Sequence, residues 1–219
     1  MRVGDLMVEE VSVVTTTWNE EENIEKLISR VRSTLKDIQH EIIVVDDNSS
    51  DRTLEVAKKF ADVAVSKARE GQTKGLLYGM QLAKFSTIVT IDSDLENPPE
   101  LIPNLIDKLD DYDLVVASRS TLPRLSEKWA SETLGKIFGV SDFYSNFRVY
   151  KKQTVSSKLR GGETFGGELL VKAKKQGFNL GEVKYIAPPR RSKPRIGGNI
   201  KANLRIIVAS WKCLFLFLF

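Results

Sequence analysis

The stretch Ile91-Asp92-Ser93-Asp94-Leu95-Glu96 places three carboxylates at alternate positions. If the apolar run before it is a β-strand that continues through Asp92, side-chain alternation puts Asp92 and Asp94 on one side and Ser93 on the other. With Glu96 close by, this is an oxygen-only donor set suited to Mg2+ or Mn2+, ions that keep positions open for phosphate oxygens. Such an ion on a diphosphate leaving group neutralises charge as the bond to that group breaks. The same residues also suit a loop in which Asp serves turns and caps, and Asp-x-Asp alone does not choose between the two. A second acidic pair closes Val44-Val45-Asp46-Asp47-Asn48-Ser49-Ser50-Asp51. Ending a buried β-branched run in adjacent aspartates costs free energy unless they bind something. Adjacent side chains point opposite ways, so one can accept from a base N–H or ribose hydroxyl while the other orders the turn. Asp51 reads as a cap for the helix that follows.

These residues need elements to position them. Val11–Thr16 reads as a strand and Glu20–Lys36 as a helix, with Ile24, Leu27, Ile28, Val31 and Leu35 at helical spacing. Glu41–Asp46 is rich in β-branched residues, as a strand buried on both faces should be. A helix follows with Leu54, Val56, Ala57 and Phe60 on one face, then a strand at 62–66, a helix at 73–84 and a strand at 86–92. Pro98–Leu109 reads as a helix with proline near its start, and Asp113–Ser118 as a fifth strand. This alternation predicts an α/β fold, a parallel sheet with helices on both faces. Past Ser118 the alternation breaks into a helix at 126–138, a strand-like 146–150, a helix at 166–176, a strand near 180–186, a basic loop at 188–198 and an apolar tail. Open α/β sheets bind ligands at the carboxyl ends of their strands. That places Thr17-Trp18-Asn19-Glu20, Asp46–Ser49, Asp92–Asp94 and Ser118-Arg119 where chemistry belongs.

Composition narrows the classes. The 219 residues are 42% hydrophobic and 28% charged, a globular balance. The single cysteine, Cys213, excludes an intrachain disulfide framework, and the single histidine, His40, excludes His-rich zinc chemistry. MRVGDLMVEE lacks the apolar core of a signal peptide, and no 18-residue apolar stretch is present. The net charge of +4 hides an asymmetry. After Glu182 there is no acidic residue but there are eight basic ones, which predicts a polyanionic partner. Residues 206–219, IIVASWKCLFLFLF, are too short to span a bilayer but suit a helix lying in its interface. A buried core helix is the competing reading.

Together, Val14–Asn23, Ile43–Thr53, Gly75–Gly79 and Ile91–Glu100 resemble family 2 glycosyltransferases in order and spacing. The chain is most similar to the dolichyl-phosphate mannose synthases and related polyprenyl-phosphate sugar transferases. Ser141-Asp142-Phe143-Tyr144-Ser145-Asn146-Phe147-Arg148 resembles a later signature of that group, Ser-Asp-x-x-Ser-Gly-Phe-Arg. The resemblance implies a Rossmann-like, GT-A type sheet that binds a nucleotide-sugar donor. It implies that Thr16, Trp18 and Glu20 hold base and ribose, with Asp46 or Asp47 reading the base. Asp92, Ser93, Asp94 and Glu96 would hold the sugar diphosphate, the three carboxylates through Mg2+ or Mn2+. Arg119 would meet phosphate, and Asp142 and Arg148 would face the acceptor's phosphate. Together with Asp94, these three form the catalytic set it implies. Arg195 through Lys201 resembles a drifted Arg-x-Gly-x-Ser-Lys loop, and Glu168 falls where the family also carries Glu. Thr16 stands where the family has proline, Glu96 replaces glutamine, Asn146 replaces glycine, and Asn199-Ile200 replaces the usual Glu/Ser pair.

The expectation is an inverting, metal-dependent glycosyltransferase on the cytoplasmic face of a membrane. It moves a hexose, with mannose from GDP-mannose favoured, to a polyprenyl or dolichyl phosphate. A phosphate monoester with a second pKa near 6 is largely ionised at neutral pH, so this acceptor needs little general-base help. Residues 1–198 form the catalytic domain and 199–219 the membrane-associating helix. The alternatives are a UDP-sugar enzyme with a glycan or other acceptor, and a degenerate module recruited to membranes. No nucleic-acid module is recognisable, and the sequence leaves the oligomeric state open. Trp129 reads as a core residue, and Tyr144 and Phe147 as either packing or groove-lining.

Overall fold

Strand residues alternate between two cores, and the helices sort by which core they cover. A computed structural model describes residues 10–155, 164–188 and 199–219. Its strands are β1 (Glu10–Thr17), β2 (Gln39–Asp46), β3 (Val63–Ser66), β4 (Thr87–Thr90), β5 (Leu114–Arg119), β6 (Arg148–Lys151) and β7 (Leu180–Tyr185). Val13, Ile42, Val44 and Val115 face a core filled by Ile24, Leu27, Ile28, Ala57 and Ile102. Their neighbours Val14, Ile43, Val45 and Val116 face a second core with Leu76, Met80, Phe138, Leu170 and Cys213. Helices α1 (Ile24–Thr34), α2 (Thr53–Phe60) and α4 (Ile102–Asp107) therefore cover one face. On the other lie α3 (Gln72–Leu82), α6 (Lys136–Phe138), α7 (Gly167–Lys175) and α8 (Asn199–Leu218), with α5 (Leu125–Ala130) packed against α8.

The sheet order is β3-β2-β1-β4-β6-β5-β7. All neighbours are parallel except β6, which runs antiparallel between β4 and β5. The parallel sheet expected from the first 120 residues is present, with this one antiparallel strand inserted from the part of the chain where the alternation breaks. The chain folds back through 139–147 into a gap between two parallel strands, and period-2 alternation carries no information on strand direction. β4 is also shorter than expected and ends at Thr90, two residues before Asp92. The helix expected over 126–138 is interrupted by a π-helical turn at Ser131–Gly135. Gly135 there leaves no room for a Cβ, which would lie 2.8 Å from the Val140 carbonyl.

α8 carries two different faces. Ala202, Ile206, Ala209 and Cys213 are buried, at the i, i+4, i+7, i+11 spacing of one helix face. Ile200, Leu204, Ile207, Val208, Trp211, Phe215 and Leu218 form an exposed stripe on another. Lys201, Arg205 and Lys212 are exposed, each one residue after a member of that stripe and so about 100° around the helix from it. No described helix is long and apolar enough to cross a membrane. Trp129, expected in the core, is 41% exposed on α5, whereas Phe147 and Tyr144 both pack inward.

Candidate active site

The carboxyl ends of β1, β2, β4 and β5 share one edge of the sheet because these strands are parallel to one another. At the end of β1, Trp18 is half-buried, and the Arg69 guanidinium stacks 3.5 Å from its ring centroid. Asn19 adopts φ +54, and its backbone N–H donates to Ser49 Oγ at 2.9 Å. Ser50 N–H donates back to Asn19 Oδ1 at 2.9 Å, so the ends of β1 and β2 are tied together. The backbone of Glu20 donates to Thr53 Oγ1, while its buried carboxylate accepts from Asn23 at 2.6 Å. Thr16 is largely buried, and its carbonyl accepts from Ser93 Oγ at 3.1 Å.

The two adjacent aspartates divide their work. Asp46 accepts from the backbone and hydroxyl of Ser49 and from Ser66 Oγ, and so orders the turn. Asp47 accepts from Lys67 Nζ at 2.6 Å and from the N–H groups of Glu70 and Gly71. Burial pushes the Asp47 carboxyl up, but Lys67 and the two N–H groups outweigh it and hold it below the usual carboxylate range. Asp51 accepts from Thr53 N–H at 3.0 Å, at the first residue of α2.

The Asp92–Glu96 segment is a loop and not an extension of the strand. Leu95 sits at φ +62, a costly conformation for a branched side chain. Positions 92, 94 and 96 consequently follow the loop and not a pleat. Asp92 turns toward Gln72 Nε2, at 2.5 Å, and Asn97 Nδ2, at 3.1 Å. Burial raises its carboxyl above the usual range against the opposing effects of Asn97, Arg119 and Gln72. Asp94 and Glu96 instead line an open cleft of about 910 Å³ shared with Glu21, Glu25 and Arg30. Among the described residues no three Asp, Glu, His or Cys side chains converge on one point as a metal cluster. The expected trio is thus not assembled. The donor chemistry still fits Mg2+ or Mn2+, which commonly take one or two carboxylates and fill the remaining positions with water and substrate phosphate.

Arg119, at the end of β5, donates to both oxygens of Asp142, at 2.6 and 3.1 Å, and lies 3.8 Å from Glu127. Burial alone would lower its pKa, but these two carboxylates raise it. Glu127 is also paired with Arg124 at 2.8 Å. Two of the expected acceptor contacts are corrected. Asp142 is 1% exposed and spends its carboxylate on Arg119. Arg148 is fully buried and donates to the carbonyls of Gly166 and Phe143, at 2.8 and 3.1 Å. The guanidinium also reaches the Tyr150 hydroxyl at 3.4 Å. Lys201 is exposed in the first turn of α8, and Arg195 lies outside the described residues. Glu168, fully buried at the start of α7, pairs with Lys172 at 3.3 Å.

Sequence reasoning missed Lys67, Gln72, Asn97, Glu127 and Tyr185, all of which hold the acidic and basic groups above. Asn97 directly follows the acidic motif and was within reach of a local reading. Lys67 and Tyr185 were not, because their partners lie 20 and 88 residues away.

The sequence model of glycosyl transferase family 2 matches residues 12–159. Over 165 residues the chain is 34% identical to a dolichol-phosphate mannosyltransferase of Pyrococcus furiosus, covering 66% of this chain and 47% of that protein. Over 170 residues it is 34% identical to an undecaprenyl-phosphate 4-deoxy-4-formamido-L-arabinose transferase of Pectobacterium atrosepticum, covering 70% and 52%. The chain thus spans about half the length of the curated relatives it matches. A solved structure of glucosyl-3-phosphoglycerate synthase from Mycobacterium tuberculosis with phosphoglyceric acid shares the fold. Its TM-score is 0.77 at 20% identity, over 94% of this chain and 80% of that one. The same enzyme with Mn2+, uridine diphosphate and glucosyl-3-phosphoglycerate gives 0.76.

Proposed function

The chain belongs to glycosyl transferase family 2, and from that premise we propose that it transfers a hexose from a nucleotide-sugar to a polyprenyl phosphate. The observation that carries this reading is the shared strand edge. Asp92 and Arg119 stand there within electrostatic reach of each other, beside the acidic loop, and Trp18 and the Asp46–Asp47 turn stand on the same edge. The names of the relatives support the acceptor, since both are transferases to a polyprenyl-type phosphate.

In this reading a phosphate oxygen of the acceptor attacks the anomeric carbon. The bond from that carbon to the donor diphosphate breaks, and the nucleoside diphosphate leaves with the electron pair. Attack in line with the leaving group inverts the anomeric configuration. The acceptor is already ionised, so no base has to take a proton. Trp18 offers a face for the base, and Arg119, preset by Asp142, offers donors to phosphate oxygens. Asp92 and Asp94, with Glu96 beside them, would hold Mg2+ or Mn2+, which neutralises charge developing on the diphosphate. Mannose from GDP-mannose is the favoured donor. The uridine diphosphate complexes of the fold neighbour keep a UDP-sugar as the second reading.

α8 supplies the place of reaction. Its exposed stripe of large apolar side chains beside a line of basic ones suits the interface of an anionic bilayer, where a polyprenyl phosphate resides. Residues 1–198 are then the catalytic part and 199–219 the membrane seat.

A thermal-shift panel of GDP, UDP and their mannose and glucose conjugates, with and without Mn2+, tests the reading. A ligand at 100 times its dissociation constant stabilises by about 2.7 kcal/mol. Metal-dependent stabilisation by GDP and not UDP is the expected result, and Asp92→Asn and Asp94→Asn should abolish it. A cooperative melt that no nucleotide shifts overturns the enzyme reading in favour of a membrane-recruited module.

A further inference from the structure

Asp92 is held by a chain of side chains that begins on the edge strand β7. Tyr185, the last residue of β7, donates from its hydroxyl to Asn97 Oδ1 at 2.6 Å, and Asn97 Nδ2 donates to Asp92 Oδ2 at 3.1 Å. Tyr185 and Asn97 are 6% and 7% exposed, so both bonds are sheltered from competing water. Tyr185 is itself fixed. Its carbonyl accepts from the backbone and hydroxyl of Ser120, at 2.8 and 2.9 Å, and its ring meets Phe147 edge-on. The polarity of the chain leaves one orientation for the amide. A phenol at neutral pH donates, so the Asn97 oxygen faces it, and a carboxylate accepts, so the Asn97 nitrogen faces Asp92. Burial raises the Tyr185 phenol well above its ordinary value, which keeps the proton on the donor.

We infer that Asn97 and Tyr185 are positioning residues that set the Asp92 carboxylate for the divalent ion and diphosphate, an inference that rests on the reading of Asp92 above. Gln72 holds the other Asp92 oxygen, so the carboxylate is steered from both sides by neutral amides. A carboxylate that ligates a cation is oriented by the bonds its oxygens already make, and losing such an outer partner typically costs 10- to 100-fold in metal affinity. A neutral amide orients Asp92 without competing with the cation for its charge. The amide itself does not titrate. Imidazole at this position bridges in its neutral form, accepting at one nitrogen and donating from the other. Once protonated it places a positive charge beside the cation.

The test is Mn2+ affinity, measured by the loss of the free-ion EPR signal on titrating the full chain in the presence of GDP and, separately, of UDP. Melting midpoints are recorded alongside. Tyr185→Phe removes one oxygen and should weaken Mn2+ about 10-fold, and Asn97→Ala by 10- to 100-fold. Asn97→His should match the wild type at pH 8 and fall progressively behind it toward pH 5.5. A merely structural role for Asn97 would not produce that widening ratio. Unchanged Mn2+ affinity in Tyr185→Phe and Asn97→Ala, with the wild type binding, overturns the positioning role and leaves the metal reading intact. A wild type that binds no Mn2+ with either nucleotide, while both variants melt as it does, overturns the metal reading and the positioning role with it.

Discussion

Replacing Lys201, Arg205 and Lys212 together by Gln removes the basic line beside the apolar stripe of α8 while leaving the stripe intact. All three are exposed, and the described ion pairs include none of them; the Arg205 guanidinium lies 5.5 Å from the Phe165 ring centroid, a contact that leaves its charge uncancelled. Each basic residue near an anionic leaflet contributes about 1 kcal/mol, so the triple variant should lose about 3 kcal/mol of binding, roughly 150-fold in partition coefficient. The assay is cosedimentation with vesicles of phosphatidylcholine containing about a third phosphatidylserine, against phosphatidylcholine alone. The loss should appear only on the anionic vesicles and shrink in about 0.5 M salt, where screening falls well inside 8 Å. Trp211→Ser, at a 60% exposed position, tests the apolar half. It should weaken binding to both vesicle types, by about 1–2 kcal/mol if the ring enters the interface. Equal binding by the triple variant and the wild type to anionic vesicles refutes the electrostatic half. No vesicle binding by the wild type at all refutes the membrane seat.

Two further perturbations act on the scaffold beneath the site. Lys67→Met leaves Asp47 with only its two backbone donors and should cost up to about 3 kcal/mol at neutral pH. Because the folded Asp47 pKa lies below 3.8, the stabilisation is full above about pH 4 and disappears as pH falls through the lowered value. The variant should therefore differ most from the wild type at neutral pH and converge with it in strong acid, as read from urea midpoints across pH. Parallel pH profiles would show that the pair carries no linkage. Gly79→Ala should destabilise by about 1–3 kcal/mol, because the added Cβ would collide with Val14 Cγ1 and lie 3.1 Å from Val45 Cγ2 where α3 crosses the sheet. For a chain of this size that is a fall of roughly 2–12 °C in melting midpoint, and an unchanged midpoint would mean α3 shifts freely over the sheet.

What could be read from sequence and what could not separate along one physical line. Side-chain period and burial are local properties. The run Ile42–Val45 announced a strand covered on both faces and Leu114–Ala117 a strand, and both are fully buried. The carboxyl ends of those strands followed, and with them the neighbourhood of Trp18, Asp46, Asp92 and Arg119. Strand direction is not a local property, and β6 reads the same whichever way it runs, so the antiparallel insertion was invisible. Charge is not local either. In the sequence Asp47 looks like a group waiting for a ligand, because a carboxylate closing a buried apolar run must be compensated, and the family resemblance implies a ligand for Asp142 and Arg148. The structure compensates each from within, through Lys67, Arg119 and the carbonyls of Gly166 and Phe143. Compensation by the protein and compensation by a ligand predict the same residue types, and only the geometry of the partners distinguishes them. By that criterion, Asp94 and Glu96 line an open cleft, Asp92 is held by neutral amides that bring no opposing charge, and the Arg119 side chain is 22% exposed. Those four retain a reason to meet a ligand, whereas Asp142 and Arg148 belong to the frame that presents them.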